Sequence, residues 1–127
     1  MLNTKTAFSG FAVKDLAEAK DFYATVLGLE VEIGPMGLRL HLPGGAVVYV
    51  YQKDNYQSAT YTVLNFSVEN IDEAVDALLE NGVKFEKYEG MPQDEKGIMR
   101  GLSHDMGPDI AWFTDPSGNI FSILQEE

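Results

Sequence analysis

The chain has no cysteine, which removes thiolate catalysis, cysteine-metal sites and disulfide scaffolds together. Basic residues are few: nine Lys and Arg against twenty Asp and Glu, a formal net charge of −11. A surface of that sign repels phosphate backbones, so nucleic acid is not an expected partner. No apolar run approaches the roughly 20 residues that span a bilayer, and no basic-then-apolar leader is legible. The expectation is a cytoplasmic protein with no membrane partner. Glycine is present, but Gly90, Gly97 and Gly101 lack the spacing and the lysine-serine ending of a phosphate-cradling loop. Histidine occurs only as His41 and His104, so imidazole acid-base chemistry has two candidates.

What is present is one pattern written twice. Residues 8–15 (FSGFAVKD) lead into 16–28 (LAEAKDFYATVLG), and 63–70 (VLNFSVEN) lead into 71–82 (IDEAVDALLENG). Each reads as a strand entering a helix. Asp15 and Asn70 are N-cap residue types with Glu18 and Glu73 three positions on, and Gly28 and Gly82 supply the left-handed stop. Leu16, Ala19, Tyr23, Val26 and Leu27, like Ile71, Ala74, Val75, Leu78 and Leu79, form one apolar stripe. Residues 42–52 (LPGGAVVYVYQ) then align without gaps with 115–125 (DPSGNIFSILQ), each a Pro-Gly turn followed by a strand. The predicted order is βαβββ twice in one domain, with modules at 4–53 and 60–126. The second copy is longer by about residues 90–108, a connection long enough to cover a site or to be disordered.

Strand alternation assigns faces. Leu38 and Leu40, and Leu64, Phe66 and Val68, want the helix side. The opposite side then receives Phe8, Arg39, His41, Val47, Tyr49 and Tyr51 from the first module, and Val63, Asn65, Ser67, Trp112, Thr114, Ser122 and Leu124 from the second. Aromatic surface with a few polar groups is the composition of a small-ligand pocket. Arg39 and Arg100 have the fork geometry to clamp an anionic group, and equally to pair with the abundant carboxylates.

Residues 13–23 (VKDLAEAKDFY), Leu27-Gly28-Leu29 and residues 112–119 (WFTDPSGN) resemble the vicinal-oxygen-chelate superfamily, which contains glyoxalases, bleomycin resistance proteins and dioxygenases. The resemblance covers almost the whole chain. It implies an α+β fold in which two βαβββ repeats form a curved mixed sheet around a cup, as in dihydroxybiphenyl dioxygenase, commonly as a homodimer. Metal-dependent members hold a divalent cation through His, Gln or Glu on the first and last strands of the modules. Those positions carry over to Phe8, Tyr49, Val63 and Ser122, none of which offers imidazole or carboxylate. The expectation is therefore no metal and no cofactor, and a small organic ligand bound by Phe8, Arg39, His41, Tyr49, Tyr51, Asn65, Ser67, Arg100, Trp112 and Ser122. Drug sequestration like that of bleomycin resistance proteins heads the readings. The alternative is a glyoxalase-like lyase or isomerase that uses His41 or His104.

Overall fold

A computed structural model describes all residues, Met1–Glu127. The chain divides into two compact units, Met1–Ser58 and Ala59–Glu127, each built on a four-stranded mixed sheet.

In the first unit β1 (Ser9–Val13) enters α1 (Leu16–Asp21), which continues as a π-helical turn (Phe22–Val26); β2 (Glu30–Gly34), β3 (Gly37–His41) and β4 (Val47–Gln52) follow. The sheet order is β1-β4-β3-β2, with β1 parallel to β4 and the other pairs antiparallel. The helix starts where the sequence places it. The Asp15 side chain accepts the Glu18 amide at 3.0 Å, and the Gln52 side chain reaches from β4 to accept the Leu16 amide at 3.0 Å. Two of the four orphan N–H groups of the first turn are thereby satisfied. The apolar stripe predicts an unbroken α-helix, but the Leu27 amide bonds the Phe22 carbonyl at 3.0 Å, the wider spacing of a π turn. Tyr23 is fully buried there, edge-on to Phe11 and Phe22. With Val13, Ala19, Leu38, Leu40, Val48 and Val50 it makes the core.

The second unit repeats the plan through β5 (Thr62–Ser67), α2 (Ile71–Glu80), β6 (Met99–Arg100), β7 (Asp109–Thr114) and β8 (Ile120–Gln125), in the order β5-β8-β7-β6. Asn70 and Gln125 cap α2 as Asp15 and Gln52 cap α1: the Glu73 amide meets Asn70 at 3.0 Å and the Ile71 amide meets Gln125 at 2.9 Å. Ile71, Val75, Ala111, Phe113, Phe121 and Ile123 fill the core.

One expectation is corrected. The strand that corresponds to β2 is interrupted. Phe85 pairs with Phe113, and Met99 and Arg100 pair with Ile110 and Asp109; residues 87–98 leave the sheet edge and return to it. The long connection is neither open nor unstructured. Gln93 pins it by accepting the Tyr88 amide at 2.8 Å and donating to the Glu86 and Gly97 carbonyls at 2.9 and 2.7 Å. Asp94 accepts the Lys96 and Ile98 amides, both at 2.9 Å. No helix is long and apolar enough to cross a membrane.

Candidate functional site

The helix-facing residues alternate with a second set on the opposite face of each sheet. On the first sheet that set is aromatic and charged. The Phe8 ring, 65% exposed, lies 4.8 Å from the Tyr49 ring, centroid to centroid. The Arg39 guanidinium sits 5.2 Å from the centre of the Tyr49 ring, and its Nε donates to the Tyr49 hydroxyl at 2.5 Å. Gly10 is Tyr49's register partner; a Cβ there would press to 3.3 Å on the Tyr49 carbonyl, so glycine lets β1 pass close beneath it. Tyr51, 44% exposed, extends the aromatic surface.

Two carboxylates belong to this constellation that face assignment alone does not supply. The tight β2–β3 hairpin sets Glu32 opposite Arg39 and Glu30 opposite His41, cross-strand positions where opposite charges meet. His41 Nε2 lies 3.0 Å from Glu32 Oε1, and Nδ1 lies 4.0 Å from Glu30; Arg39 reaches Glu32 at 3.6 Å. The His41 hydrogen bond, then the Arg39 and His41 charges, hold the Glu32 carboxyl below its ordinary range. The signal was available in the sequence: Gly34-Pro35-Met36-Gly37 is a turn, and counting outward from it pairs these residues.

On the second sheet Asn65 and Ser122 are register partners, and the buried Ser122 hydroxyl donates to the Asn65 side chain. Ser67 donates to Glu126 at 3.4 Å. Trp112, paired across the ladder with Ser122, packs edge-on against Tyr88 at 5.6 Å. Thr114 donates to Glu86 at 3.4 Å. Tyr88 and Glu86 were not anticipated, because they lie where the repeat breaks. The Tyr88 hydroxyl is buried without a hydrogen-bond partner. Its pKa is raised by burial and then by the Glu86 charge.

Arg100 stands apart from both faces. It makes a bidentate pair with Asp72 at 2.8 and 3.0 Å and bonds Asp94 at 3.1 Å, with Asp109 at 3.7 Å. Its fork is committed to carboxylates that tie the long connection to α2. His104 lies on a 3-10 turn (Leu102–His104) of that connection, exposed.

Solved structures with this architecture place the chain in a fold class. A superfamily member from Sphaerobacter thermophilus DSM 20745 shares 27% identity at a TM-score of 0.67, over 96% of this chain and 98% of that one. TnmS3, an antibiotic binding protein from Streptomyces sp. CB03234, shares 22% identity at 0.61, over 99% and 100%. FosX, the fosfomycin resistance protein of Listeria monocytogenes, shares 16% at 0.67, over 99% and 96%. No curated protein matches the sequence. The model of the Glyoxalase/Bleomycin resistance protein/Dioxygenase superfamily matches residues 6–123, and the chain belongs to that superfamily.

The metal that many members use does not fit these residues. Phe8 and Val63 offer no lone pair, Tyr49 is engaged by Arg39, and the Ser122 hydroxyl is spent on Asn65. Val63 also falls where the β5 register shifts. Glu30 and Glu32 approach opposite nitrogens of His41, so the three do not converge on one point.

Proposed function

We propose that the protein binds a small aromatic organic molecule of antibiotic type without a metal, and holds it rather than transforming it. The observation that carries this reading is the face of the first sheet opposite its helix: two adjoining aromatic rings, one locked by Arg39, beside a His41–Glu32 pair. Exposed rings on a soluble protein are a binding surface when polar groups fix a partner's orientation beside them. Tyr49, held by Phe8 and Arg39, loses little side-chain freedom on binding, and such preorganisation favours affinity. Two proteins of the same fold, an antibiotic binding protein and a fosfomycin resistance protein, support an antibiotic as the ligand, and the aromatic lining of this face supports an aromatic one. Phe8, Arg39, His41, Tyr49 and Tyr51 are the proposed contacts on the first sheet; Asn65, Ser67, Trp112 and Ser122 line the corresponding face of the second. Arg100 is assigned to the structure of the connection. We also propose a homodimer, with light scattering as its check.

The test is a thermal-melt titration of chelator-treated protein against polycyclic aromatic antibiotics, followed by mass spectrometry of the recovered ligand. A ligand that binds only the native state raises the melting temperature with concentration. The expected result is a saturable rise that chelator does not change, loss of that rise in Tyr49→Ala, and unaltered ligand. A flat response across the panel, or an undiminished rise in Tyr49→Ala, overturns the reading.

One contact favours a second reading, a lyase or isomerase. A carboxylate bonded to an imidazole is how a general base is oriented, and Glu32 stands so to His41. In that case the ligand is recovered chemically changed, and His41→Asn stops the change while binding persists.

A further inference from the structure

The connection that interrupts the second module's edge strand builds a cleft of its own. Its volume is about 370 Å³, and Pro92, Gln93, Met99, Arg100, His104 and Met106 are among its walls. Five methionines occur in the chain, and two of them line this cleft together with one of its two histidines.

The backbone shapes this wall of the cleft by a specific fold. The Gly101 carbonyl accepts the His104 amide at 3.1 Å and the Met106 amide at 2.9 Å, which closes residues 102–106 into a turn directly after β6. Asp105, between His104 and Met106, is the one non-glycine residue at positive φ, at 53°, a conformation that costs energy and that the surrounding contacts enforce. Gly101 is required by close approach, since a Cβ would come within 2.4 Å of the Pro108 carbonyl. Asp109 fixes the next residue by accepting the Leu102 amide at 3.0 Å. The Arg100 charge in the same wall is answered by Asp72, Asp94 and Asp109.

We propose that this cleft is a binding site for a soft monovalent cation of the Cu(I) class, held by the thioethers of Met99 and Met106 and the imidazole of His104. Thioether sulfur is a poor ligand for hard cations and a good one for Cu(I), and imidazole completes the set. In a chain without cysteine no thiol competes for such an ion. Met106, 75% exposed, gives the ion a path from solvent. The site is separate from the superfamily's metal positions and from the aromatic face of the first sheet.

Ag(I), a redox-inert cation of the same class, is the probe, added to the full chain in chloride-free buffer with methionine methyl groups carbon-13 labelled. Stoichiometric shifts at Met99 and Met106, with His104 ring signals following, are the expected result, with Met1 and Met36 unmoved. Met99→Leu, Met106→Leu and His104→Ala each weaken Ag(I) binding by about tenfold or more, Met36→Leu does not, and competition with a Cu(I) chelator repeats the ranking. Shifts at Met1 or Met36 instead, no methionine shift at all, or an equal response to Zn(II), overturns the proposal. The wild-type spectra decide it even if a variant fails to fold.

Discussion

The two modules are alike where they make the fold and unlike where they face solvent. Asp15 with Gln52 and Asn70 with Gln125 cap their helices with the same two contacts each, all at 2.9–3.0 Å, and both sheets run in the same order. The largest difference lies at one edge. The first module closes it with a plain hairpin, β2 and β3, that aligns carboxylates with Arg39 and His41. The second breaks the corresponding strand, inserts residues 87–98, and ties the insertion to α2 through Arg100. The modules share the contacts that a βαβββ unit needs, and they differ at the edge strand, which is paired on one side only. The His41–Glu32 pair and the Met99–His104–Met106 cleft lie at or beside those unlike edges.

Gly37→Ala gives the largest expected effect and strikes the plain hairpin. At φ 137° a Cβ would lie 2.2 Å from the Val50 carbonyl, a backbone clash with no flexible side chain to yield. Overpacking and forced backbone each cost about 1–3 kcal/mol, so the loss should reach about 3 kcal/mol or more in denaturant unfolding. In the other module β7 passes regularly through Ile110, the residue aligned with Gly37, which pairs with Met99 and Leu124. Ile110→Ala should therefore cost less. Equal costs would show that the two edges are not built differently.

Arg100→Leu tests the insertion. Removing the guanidinium leaves Asp72, Asp94 and the nearly buried Asp109 without their shared cation. With solvent still reaching the cluster, about 1–2 kcal/mol is expected. The pH dependence has a definite sign. The Arg100 hydrogen bonds, then the Arg100 and Lys96 charges, lower the Asp72 pKa from 3.8. A lowered folded value means the stabilisation is complete above the unfolded value and lost as pH falls through the folded one. Wild-type stability should thus fall below about pH 4 more steeply than that of the variant. Parallel profiles would remove Arg100 from the account.

Much of this was legible in the sequence because it was local or repeated. Helix starts, the Gly28 and Gly82 stops and the helix-facing residues all followed from caps and periods of two or 3.6. The matched Gln52 and Gln125 were visible as a coincidence, and the structure shows them to be helix caps from the last strand. What could not be read was non-local or irregular. Arg100 finds Asp72 from 28 positions away. The broken strand is held by Gln93 bonding backbone groups, a pattern no period announces. The π turn after Asp21 keeps Tyr23 in the core at a spacing the 3.6 rule does not contain. Of the candidate site, Phe8, Tyr49, Arg39 and His41 fall on one face as the alternation predicts. Glu30 and Glu32 needed the hairpin register as well.

The Gln caps offer a finer test of likeness. Gln52→Met and Gln125→Met keep the side chain's shape and delete the acceptor. Each strands a helix N–H, part-buried at Ile71 and exposed at Leu16. Water can replace the acceptor only in the second case, so about 1 kcal/mol is expected for Gln125 and about half that for Gln52. The effects should add, because the sites share no partner. A larger loss at Gln52 would reverse the assignment.

Tyr88→Phe has the smallest expected effect and the opposite sign. The Tyr88 hydroxyl is the one buried side-chain polar atom without a partner, and it lies where the second module departs from the first. Leaving such a group dry costs free energy that deleting it returns. The variant keeps the ring against Trp112, so the aromatic contact survives and only the desolvation cost goes. Stability should rise by about 0.5–1 kcal/mol, read as a higher midpoint in urea with an unchanged slope. A fall would show that the hydroxyl bonds a water or a neighbouring group in solution, and that this part of the broken strand is satisfied after all. A rise would show that the Tyr88 hydroxyl is buried at a cost in stability at the point where the second module departs from the first.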